Sequence, residues 1–399
     1  MKRICITGSG VVSAIGLGKE ETFASLRASR SGIAPVRFLC AADRGFLVGE
    51  VPLDDGQMKV RLGIPDDEPV SRTSLLGMLA LEEALQEAGL RPEECRQVPL
   101  ISGTTVGGMD QTERFYREYL SEEEHAHDAY ISLHDCGAST EAIAAHFGGF
   151  RYATTLSTAC SSAANAVILG ARLIEAGLAS IVAAGGSECL SIFHLNGFNS
   201  LMIVDRMPCR PFDRTRAGLN LGEGAAFLIL ESEESARRRG VRPVAVLSGY
   251  GNACDAFHQT ASSENGEGPF LAMRQALEMA NLAPEAVSYV NAHGTGTPNN
   301  DASESAALRR IFGAECPPVS STKAFTGHTT SASGSIEAVF CLLAMQRGFI
   351  PANLNWREPD EACIHPVTAY RDGVRLDHVL CNAFGFGGND SSLLFSRFA

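Results

Sequence analysis

Residues 153–177, ATTLSTACSSAANAVILGARLIEAG, place a cysteine between two different patterns. The opening run ATTL favours a β-strand, and the small and apolar residues from Ser161 onward predict the start of a helix. A helix N-terminus carries unpaired amides and a positive dipole end, which lower the pKa of a thiol placed there. The stretch therefore predicts a sharp turn at Cys160 that points its sulfur at the helix. A cysteine packed in the core is the alternative.

On both sides of this stretch, the chain repeats similar patterns. RICITGSGVVS (3–13) and VAVLSGYGNA (244–253) are β-rich runs that end in glycine and small polar residues. GLNLGEGAAFLILES (218–232) and LCNAFGFGGNDSSLLFSRF (380–398) each join a glycine-rich turn to an apolar strand. We also pair the Cys160 stretch with VSYVNAHGTGTPNND (287–301), another strand that ends at a reactive residue type. These parallels predict an internal duplication.

Helical patterns lie between the predicted strands. SLLGMLALEEALQEAGL (74–90) and GPFLAMRQALEMANL (268–282) have apolar residues at helical spacing. Strands that alternate with helices predict an α/β fold built in layers. The charged stretch ESEESARRRGVRP (231–243) predicts a solvated helix and turn between two units, residues 1–240 and 241–399.

Composition limits the class of protein. The 399 residues are 45% hydrophobic and 20% charged, and neither a bilayer-spanning run nor a signal peptide is present, so we expect a cytoplasmic globular protein that does not enter a membrane. A net charge of −13 argues against nucleic-acid binding. The 12 cysteines are scattered without a CxxC pair, which favours reduced and mostly buried thiols.

Four motifs carry residues with chemical potential. They are Cys160 in STACSS, His293 in NAHGTGTP, Lys323 and His328 in STKAFTGHTTSASG, and Phe384–Gly388 in NAFGFGGND. Their order resembles that of the β-ketoacyl-acyl-carrier-protein synthases of the thiolase superfamily, and the resemblance covers nearly the whole chain. It implies a thiolase fold, which is a five-layer α-β-α-β-α sandwich of two similar halves, and usually a dimer.

The resemblance implies a role for each polar residue of these motifs. Cys160 is the nucleophile, and two imidazole donors, His293 and His328, stabilise the enolate that forms when a malonyl thioester loses carbon dioxide. Lys323 tunes the site electrostatically and Glu337 supports it. Ordinary polar contacts for the histidines, and routine salt bridges for Lys323 and Glu337, are the alternatives.

The glycine-rich motif Gly385–Gly388 allows close approach of the backbone to a ligand, because glycine has no Cβ. By resemblance, the amides of Cys160 and Phe386 form an oxyanion hole, and the Phe386 ring gates the acyl pocket. Phe384, Gly385 and Gly387 flank that ring. A tight turn between two strands is the alternative, and the two interpretations are compatible.

Further site residues follow from the resemblance alone. Thr295 and Thr297 match threonines that bind the phosphopantetheine arm of a carrier protein, and Val106 matches a wall of the acyl pocket, together with residues 117–136. Some relatives hold a monovalent cation near positions that match Asn291, Glu337 and Asn382. We expect no other metal and no bound organic cofactor, since the pantetheine arrives on the carrier as substrate.

The chain also departs from the family pattern. Thr330, Ser331, Ala332 and Ser333 stand where Leu-Gly-Ala-Ala is common, and Asn389 and Asp390 follow the glycines where Thr-Asn is common. Leu219 and Asn220 also depart from the usual pattern before the GEG motif. None of these changes removes a reacting group, but they leave the acyl-chain preference open.

The sequence therefore predicts a 3-oxoacyl-acyl-carrier-protein synthase, an acyltransferase of fatty acid or related biosynthesis. Its expected partners are an acidic acyl carrier protein, in malonyl and acyl forms, and either a second copy or a related subunit. We expect the carrier to dock on a local basic rim that includes some of Arg206, Arg210, Arg214 and Arg216; internal ion pairing of these arginines is the alternative. A ketosynthase subunit of a polyketide or aryl polyene pathway and a non-catalytic chain-length partner are the competing functions, and the presence of Cys160 argues against the second.

Overall fold

The computed structural model describes residues 2–39, 45–121 and 127–398. Its strands are β1 Ile4–Ser13, β2 Gly16–Leu17, β3 Ile33–Pro35, β4 Leu47–Gly49, β5 Leu100–Gly103, β6 Ala153–Leu156, β7 Ile181–Glu188, β8 Gly224–Ser232, β9 Ala245–Cys254, β10 Tyr289–Asn291, β11 Val319–Ser320, β12 Phe349–Ile350, β13 Arg371–Asp372, β14 His378–Gly385 and β15 Asn389–Ser396.

Its α-helices are α1 Lys19–Arg27, α2 Asp55–Leu62, α3 Arg72–Glu87, α4 Pro92–Cys95, α5 Met109–Tyr119, α6 Cys136–His146, α7 Ser162–Glu175, α8 Ile192–Ser200, α9 Glu233–Arg239, α10 Glu267–Ala280, α11 Pro298–Phe312, α12 Lys323–Thr326 and α13 Ser333–Arg347. Short 3₁₀ turns cover Asp128–Leu133, Pro284–Ala286, Thr330–Ala332 and Phe386–Gly388.

The strands of the main sheet form two half-sheets with the same topology. In the first half the order is β6-β5-β7-β8-β1, and in the second it is β11-β10-β14-β15-β9. In both, the first three strands in this order are parallel, and the last two join antiparallel. The sheets meet where Ile4–Ile6 of β1 pair with Ala245–Leu247 of β9. This repeated order confirms the predicted duplication.

Helices complete five layers. The outer helix α3 packs on β1 and β8, and α10 packs on β9 and β15 in the equivalent position. Between the sheets lie α7 and α13, which contact each other and strands of both sheets. A Cβ on Gly334 of α13 would lie 2.9 Å from the Ala164 methyl of α7, so the two central helices approach closely because of small residues. The predicted layered α/β fold is therefore confirmed.

One predicted parallel is wrong. The counterpart of the β6–Cys160–α7 segment is not the β10 stretch at residues 287–301, because β10 occupies the position of β5. The equivalent of β6 is the edge strand β11, which leads through Lys323 and His328 into α13. A similar residue pattern at the end of β10 concealed this correspondence, which depends on strand order.

The connection between the halves is the predicted helix and turn, since α9 ends at Arg239 and Gly240 adopts a left-handed conformation with φ 70°. The boundary at residues 240 and 241 stays a prediction. The cysteines in the described ranges are free thiols. None of the helices that the structure describes has the length and apolar character needed to cross a bilayer, and the cytoplasmic location stays a prediction.

Candidate active site

The turn that carries Cys160 links β6 to α7. Ala159 adopts φ 54°, a left-handed conformation that is costly for a residue with a side chain, so the sharp turn lies at Ala159 and not at Cys160 as the sequence predicted. Cys160 follows directly and is 5% exposed. Ser161 precedes the first turn of α7. The thiol is thereby held at the edge of the central helix layer.

His328 contacts this thiol. Its Nε2 atom lies 3.0 Å from Cys160 Sγ. The His328 backbone is fixed on both sides, because its amide donates to Asn220 O at 2.7 Å and its carbonyl accepts from the Gly222 amide at 3.0 Å. Asn220 is one of the departures from the family pattern, and it supports the loop that carries the imidazole.

The Cys160 thiol is neutral at rest, contrary to the lowered pKa that the helix N-terminus led us to expect. Burial raises the pKa of Cys160 to about 12, and this cost of desolvation outweighs the charge of Lys323 and the amide hydrogen bonds of Phe386 and Cys160, which lower it. Reaction at neutral pH therefore requires that the proton leave as the sulfur attacks. His328 is the base within reach.

His293 faces His328 across the pocket. The ring centroids are 5.2 Å apart and the rings are nearly perpendicular. Burial, followed by the charge of Lys323, lowers the pKa of both histidines well below the usual range, so both are neutral near pH 7. Neither Nδ1 atom has a hydrogen-bond partner in the described part of the chain, so no contact there fixes the tautomer of either ring.

Lys323 and Glu337 form a buried pair. Lys323 Nζ lies 2.6 Å from Glu337 Oε1, and the side chains are 1% and 3% exposed. Ser333, another departure from the family pattern, donates to the second carboxylate oxygen at 3.1 Å. The structure thus excludes a routine surface salt bridge here and places a cation beside both histidines.

Two buried carboxylates support the His293 loop, and the sequence analysis missed them. Glu304 accepts from the amides of His293 at 2.9 Å and Gly294 at 2.8 Å, while Asp301 accepts from Gly296 at 3.2 Å. Burial raises the pKa of Glu304 to about 7. Both acids lie on α11 three residues apart among serines and alanines, a spacing that could have identified them as inward-facing.

A third buried carboxylate, Glu188 at the end of β7, was also missed. It accepts from Thr104 Oγ1 at 2.6 Å, from the hydroxyl of Thr105, and from Thr330 Oγ1 at 2.8 Å. Thr330 has φ 42°, which is unusual for a β-branched residue. Glu188 therefore ties the loop after His328 to the loop before Val106.

The glycine loop, Gly385–Gly388, closes the pocket over the cysteine. The Phe386 ring stacks on Phe198 of α8 with centroids 5.7 Å apart, and Phe384 lies 5.7 Å from His293. Gly387 and Gly388 have φ 78° and 75°, conformations that glycine adopts without strain. The loop is both a tight turn between β14 and β15 and a wall of the site.

One cavity of about 370 Å³ joins most of the predicted site. Residues from both halves line it, including Cys160, His293, His328, Thr295, Thr297 and Phe386. The Thr295 and Thr297 hydroxyl oxygens are 2.9 Å apart. Val106 does not line this cavity and is 1% exposed within an apolar cluster beside α3, so its acyl-pocket role stays a prediction. Residues 122–126 of the predicted acyl-pocket region lie outside the described ranges.

The predicted cation site is only partly matched. Asn291 Oδ1 is buried and has no hydrogen-bond partner among described residues. However, Asn382 Oδ1 accepts from Ser392 at 2.8 Å, and Glu337 is occupied by Lys323 and Ser333. The contacts of these three side chains leave no shared set of free oxygens.

Most of the predicted basic rim is engaged internally. Arg210 pairs with Asp205 at 3.0 Å, Arg214 pairs with Glu358, and Arg216 is buried beside Asp360. Arg206 is exposed, with its guanidinium 4.0 Å from the centroid of the Phe46 ring. Arg210, Arg214 and Arg216 are therefore ion-pair partners within the chain.

The chain is similar to known proteins in both of its halves. The family model "Beta-ketoacyl synthase, N-terminal domain" matches residues 1–236. The family model "Beta-ketoacyl synthase, C-terminal domain" matches residues 244–357. Nodulation protein E of Rhizobium meliloti (strain 1021) is 33% identical over 405 residues, 99% of each chain. The 3-oxoacyl-[acyl-carrier-protein] synthase 2 of a Synechocystis species is 32% identical over 410 residues, 100% of this chain and 98% of that protein.

A similar solved structure is "The ishigamide ketosynthase/chain length factor", with a TM-score of 0.92 and 32% identity over 100% of both chains. The similarity to these relatives extends over the full length of the chain. It includes both halves of the duplicated fold.

Proposed function

Because the chain belongs to the β-ketoacyl synthase family and is a condensing acyltransferase, we propose that it joins a malonyl-carrier to an acyl group held on Cys160. The observation that carries this assignment of residues is the 3.0 Å contact between Cys160 Sγ and His328 Nε2. His293 lines the same cavity, so a nucleophile and two imidazoles converge on one space.

In the first half-reaction, Cys160 takes the acyl group from its carrier. The Cys160 sulfur attacks the thioester carbonyl, its proton passes to His328 Nε2, and the tetrahedral oxyanion lies against the amides of Cys160 and Phe386. Collapse of this intermediate breaks the bond to the carrier sulfur. The proton on His328 then returns to that sulfur, which leaves as the free pantetheine thiol.

In the second half-reaction, a malonyl-carrier enters the same cavity. His328, which the first half-reaction leaves neutral, takes its Nε2–H tautomer for this step. Hydrogen bonds from His293 and His328 to the thioester carbonyl then stabilise the enolate as the carboxylate leaves as carbon dioxide. The enolate carbon attacks the acyl carbonyl on Cys160, and expulsion of the cysteine sulfur gives a 3-oxoacyl carrier. A proton from solvent then restores the Cys160 thiol.

The neutral state of both histidines supports this proposal. A hydrogen bond from a neutral imidazole stabilises an enolate without transfer of a full charge. The charge of Lys323, locked to Glu337, acts to keep both rings neutral. The scheme needs no bound organic cofactor, because the pantetheine arm is part of the substrate and would pass Thr295 and Thr297.

The carrier docks, in this proposal, at the mouth of the cavity. Met202 lines the cavity and is 88% exposed, and Met207 is also exposed nearby in the chain. Arg206 lies between them and donates to Asn199 of α8 at 3.1 Å. An exposed cation beside apolar side chains suits an acidic carrier with an apolar contact helix.

A second subunit is also part of the proposal. Among the described strands, β6 pairs only with β5, so one edge of the continuous sheet is unpaired. Tyr116 of α5 and Phe193 of α8 expose 55% and 61% of their surfaces beside a groove between these helices. We assign this edge and groove to a second copy or to a related subunit of the same fold.

A specialised polyketide or polyene ketosynthase is the second candidate function. The polar contact of Thr330 with buried Glu188 occupies a position where related sequences commonly carry leucine. The structural similarity to the ishigamide ketosynthase/chain length factor favours the same interpretation. Both candidates share the mechanism and differ in the acyl chain.

The test is intact mass of the protein after incubation with acyl-carriers of different chain length and unsaturation, followed by malonyl-carrier. We expect an acyl adduct on the wild type, its absence in Cys160→Ala, and a 3-oxoacyl carrier after malonyl-carrier is added. Cys95→Ala removes another buried thiol, which does not line the cavity, and serves as the matched control. An acyl adduct of undiminished amount on Cys160→Ala would contradict the proposal.

A further inference from the structure

Asn389 is the first residue after the glycine loop and the first residue of β15. It differs from the threonine that related sequences commonly carry there. Its backbone pairs with Gly385 on β14 and with Cys254 on β9, so its position is determined by the sheet. The contacts of its side chain are outside the cavity that holds the reacting groups.

Three side chains from other elements converge on one oxygen of Asn389. Ser161 Oγ lies 2.8 Å from Asn389 Oδ1, and the amide nitrogens of Asn165 and Asn252 donate to the same atom at 2.8 Å and 2.9 Å. Ser161 directly follows Cys160, Asn165 is on α7, and Asn252 is on β9. The oxygen thus joins the cysteine turn, the central helix and the sheet.

The network is closed by further hydrogen bonds. Asn165 donates to Thr158 Oγ1 at 2.9 Å, which holds the residue at the start of the cysteine turn. Asn165 Oδ1 accepts from Asn252 at 3.1 Å and from Ser391 Oγ at 2.9 Å. Because the Asn165 amide is both donor and acceptor, rotation of its side chain would break contacts with Asn389, Asn252 and Ser391 at once.

The backbone of the glycine loop also packs on this turn. A Cβ on Gly385 would lie 2.9 Å from Thr158 O and 3.2 Å from Ser161 Oγ. Phe386 follows Gly385 directly, and its amide is one of the groups that lower the pKa of the Cys160 thiol. A shift of the loop away from the turn would therefore carry the Phe386 amide away from Cys160.

We propose that Asn389 is a positioning residue, which acts through Ser161 and Asn165 to keep the Phe386 amide in register with Cys160. The inference rests on the proposed function, in which this amide and that of Cys160 bind the oxyanion. Its consequence is specific to steps that develop an oxyanion on the acyl group held at Cys160.

The experiment measures acylation of Cys160 in a single turnover, by rapid quench and intact mass, across a range of acyl-carrier concentrations. Asn389→Leu keeps the approximate size of the side chain and removes the acceptor. We expect at least about a tenfold fall in the acylation rate at saturating carrier, since loss of an oxyanion donor costs about 10²–10³ and a displaced donor costs less. The half-saturating carrier concentration should change less than about twofold.

Ser396→Ala is the matched control. Ser396 lies at the other end of β15, is nearly buried, and contacts Ser248 Oγ at 2.6 Å and His378 Nδ1 at 2.8 Å. Its replacement removes a comparable polar contact from the same strand, and we expect it to lower the thermal unfolding midpoint without slowing acylation.

The double variant Asn389→Leu/Asn165→Leu distinguishes one network from two separate defects. The effects of two substitutions within one network should not add. The acylation rate of the double variant should therefore be within about twofold of the rate of the slower single variant. A rate loss equal to the product of the single losses, or undiminished acylation in Asn389→Leu, would overturn the inference alone. A wild type that accepts no acyl group from any carrier would instead contradict the proposed function together with this inference.

Discussion

His328 Nε2 lies 3.0 Å from Cys160 Sγ although the two residues are 168 positions apart in the chain. Cys160 lies between the edge strand β6 and the central helix α7. His328 lies between the edge strand β11 and the central helix α13, which is the equivalent junction of the second half. The duplication therefore brings two equivalent junctions face to face, and in the proposed mechanism one carries the nucleophile while the other carries its base.

Replacement of Cys160 by glutamine should separate the two half-reactions. A glutamine amide has about the size of an acylated cysteine and can place its oxygen against the amides of residue 160 and Phe386. We expect Cys160→Gln to release carbon dioxide from labelled malonyl-carrier and to form no condensation product.

The same assay tests the histidines. Addition of His293→Ala or His328→Ala to Cys160→Gln should lower carbon dioxide release about a hundredfold, because one hydrogen bond to a developing oxyanion contributes about 3 kcal/mol. Undiminished release in both double variants would exclude the proposed role of these rings.

Removal of the buried charge beside the site should make Cys160 less reactive. The charge of Lys323 lowers the pKa of the thiol, so the double variant Lys323→Met/Glu337→Gln should raise this pKa and slow alkylation by iodoacetamide at fixed pH. We expect the alkylation rate to fall about threefold to tenfold at pH 9. The rate is measured from the mass of the peptide that contains Cys160.

Lys59→Met is the control for this experiment. Lys59 is also a buried lysine, whose Nζ donates to Asp66 O and Glu68 O at 2.7 Å, and it is not among the groups that affect the Cys160 thiol. Equal slowing in both variants would show that the effect comes from general destabilisation.

Asp390→Asn should stabilise the fold, and more so at alkaline pH. Burial, followed by the charges of Asp255 and Glu304, raises the pKa of Asp390 to about 8. The folded state therefore binds more protons at this residue than the unfolded chain between about pH 4 and pH 8, and the contribution of Asp390 to stability falls as pH rises through this window. We expect Asp390→Asn to raise the free energy of unfolding, measured with urea, by on the order of 2 kcal/mol at pH 8 and by less at pH 5.

Asp213 provides the opposite case. Although burial opposes it, hydrogen bonds from Thr215 and from the amides of Glu358 and Arg357 lower the pKa of Asp213 to about 2. Its stabilising contribution is present above the unfolded value near 4 and is lost only as pH falls toward 2. Asp213→Asn should therefore lower the free energy of unfolding by the same amount at pH 5 and pH 8.

For Asp390→Asn, a gain in the free energy of unfolding that does not change with pH would contradict the assigned titration of Asp390.

Charge reversal at Arg206 should weaken carrier docking. We expect Arg206→Glu to raise the apparent KM for the acyl-carrier about fivefold at low salt, with a smaller effect at high salt because exposed charges are screened. Arg214→Glu is the control, since Arg214 is also exposed to solvent, where it pairs with Glu358. If both variants behave like the wild type, the carrier docks on another surface.

The sequence alone was sufficient to predict many of the helices and strands and to identify most of the candidate reacting groups. Apolar spacing located α3 and α10, and the β-rich runs located β1, β8, β9, β14 and β15, because these patterns follow from the local geometry of helices and strands. The order of the motifs around Cys160, His293 and His328 identified the family, since that order is a property of the chain.

Only the tertiary structure decided how these groups act. The pKa of a thiol depends on everything around it, and burial of Cys160 raised a value that the helix N-terminus alone would lower. The supporting carboxylates Glu188 and Glu304, and the oxygen of Asn389, contact residues from distant segments, so no local pattern shows their partners. The same holds for the match between β6 and β11, because strand order arises from pairing in three dimensions and not from residue type.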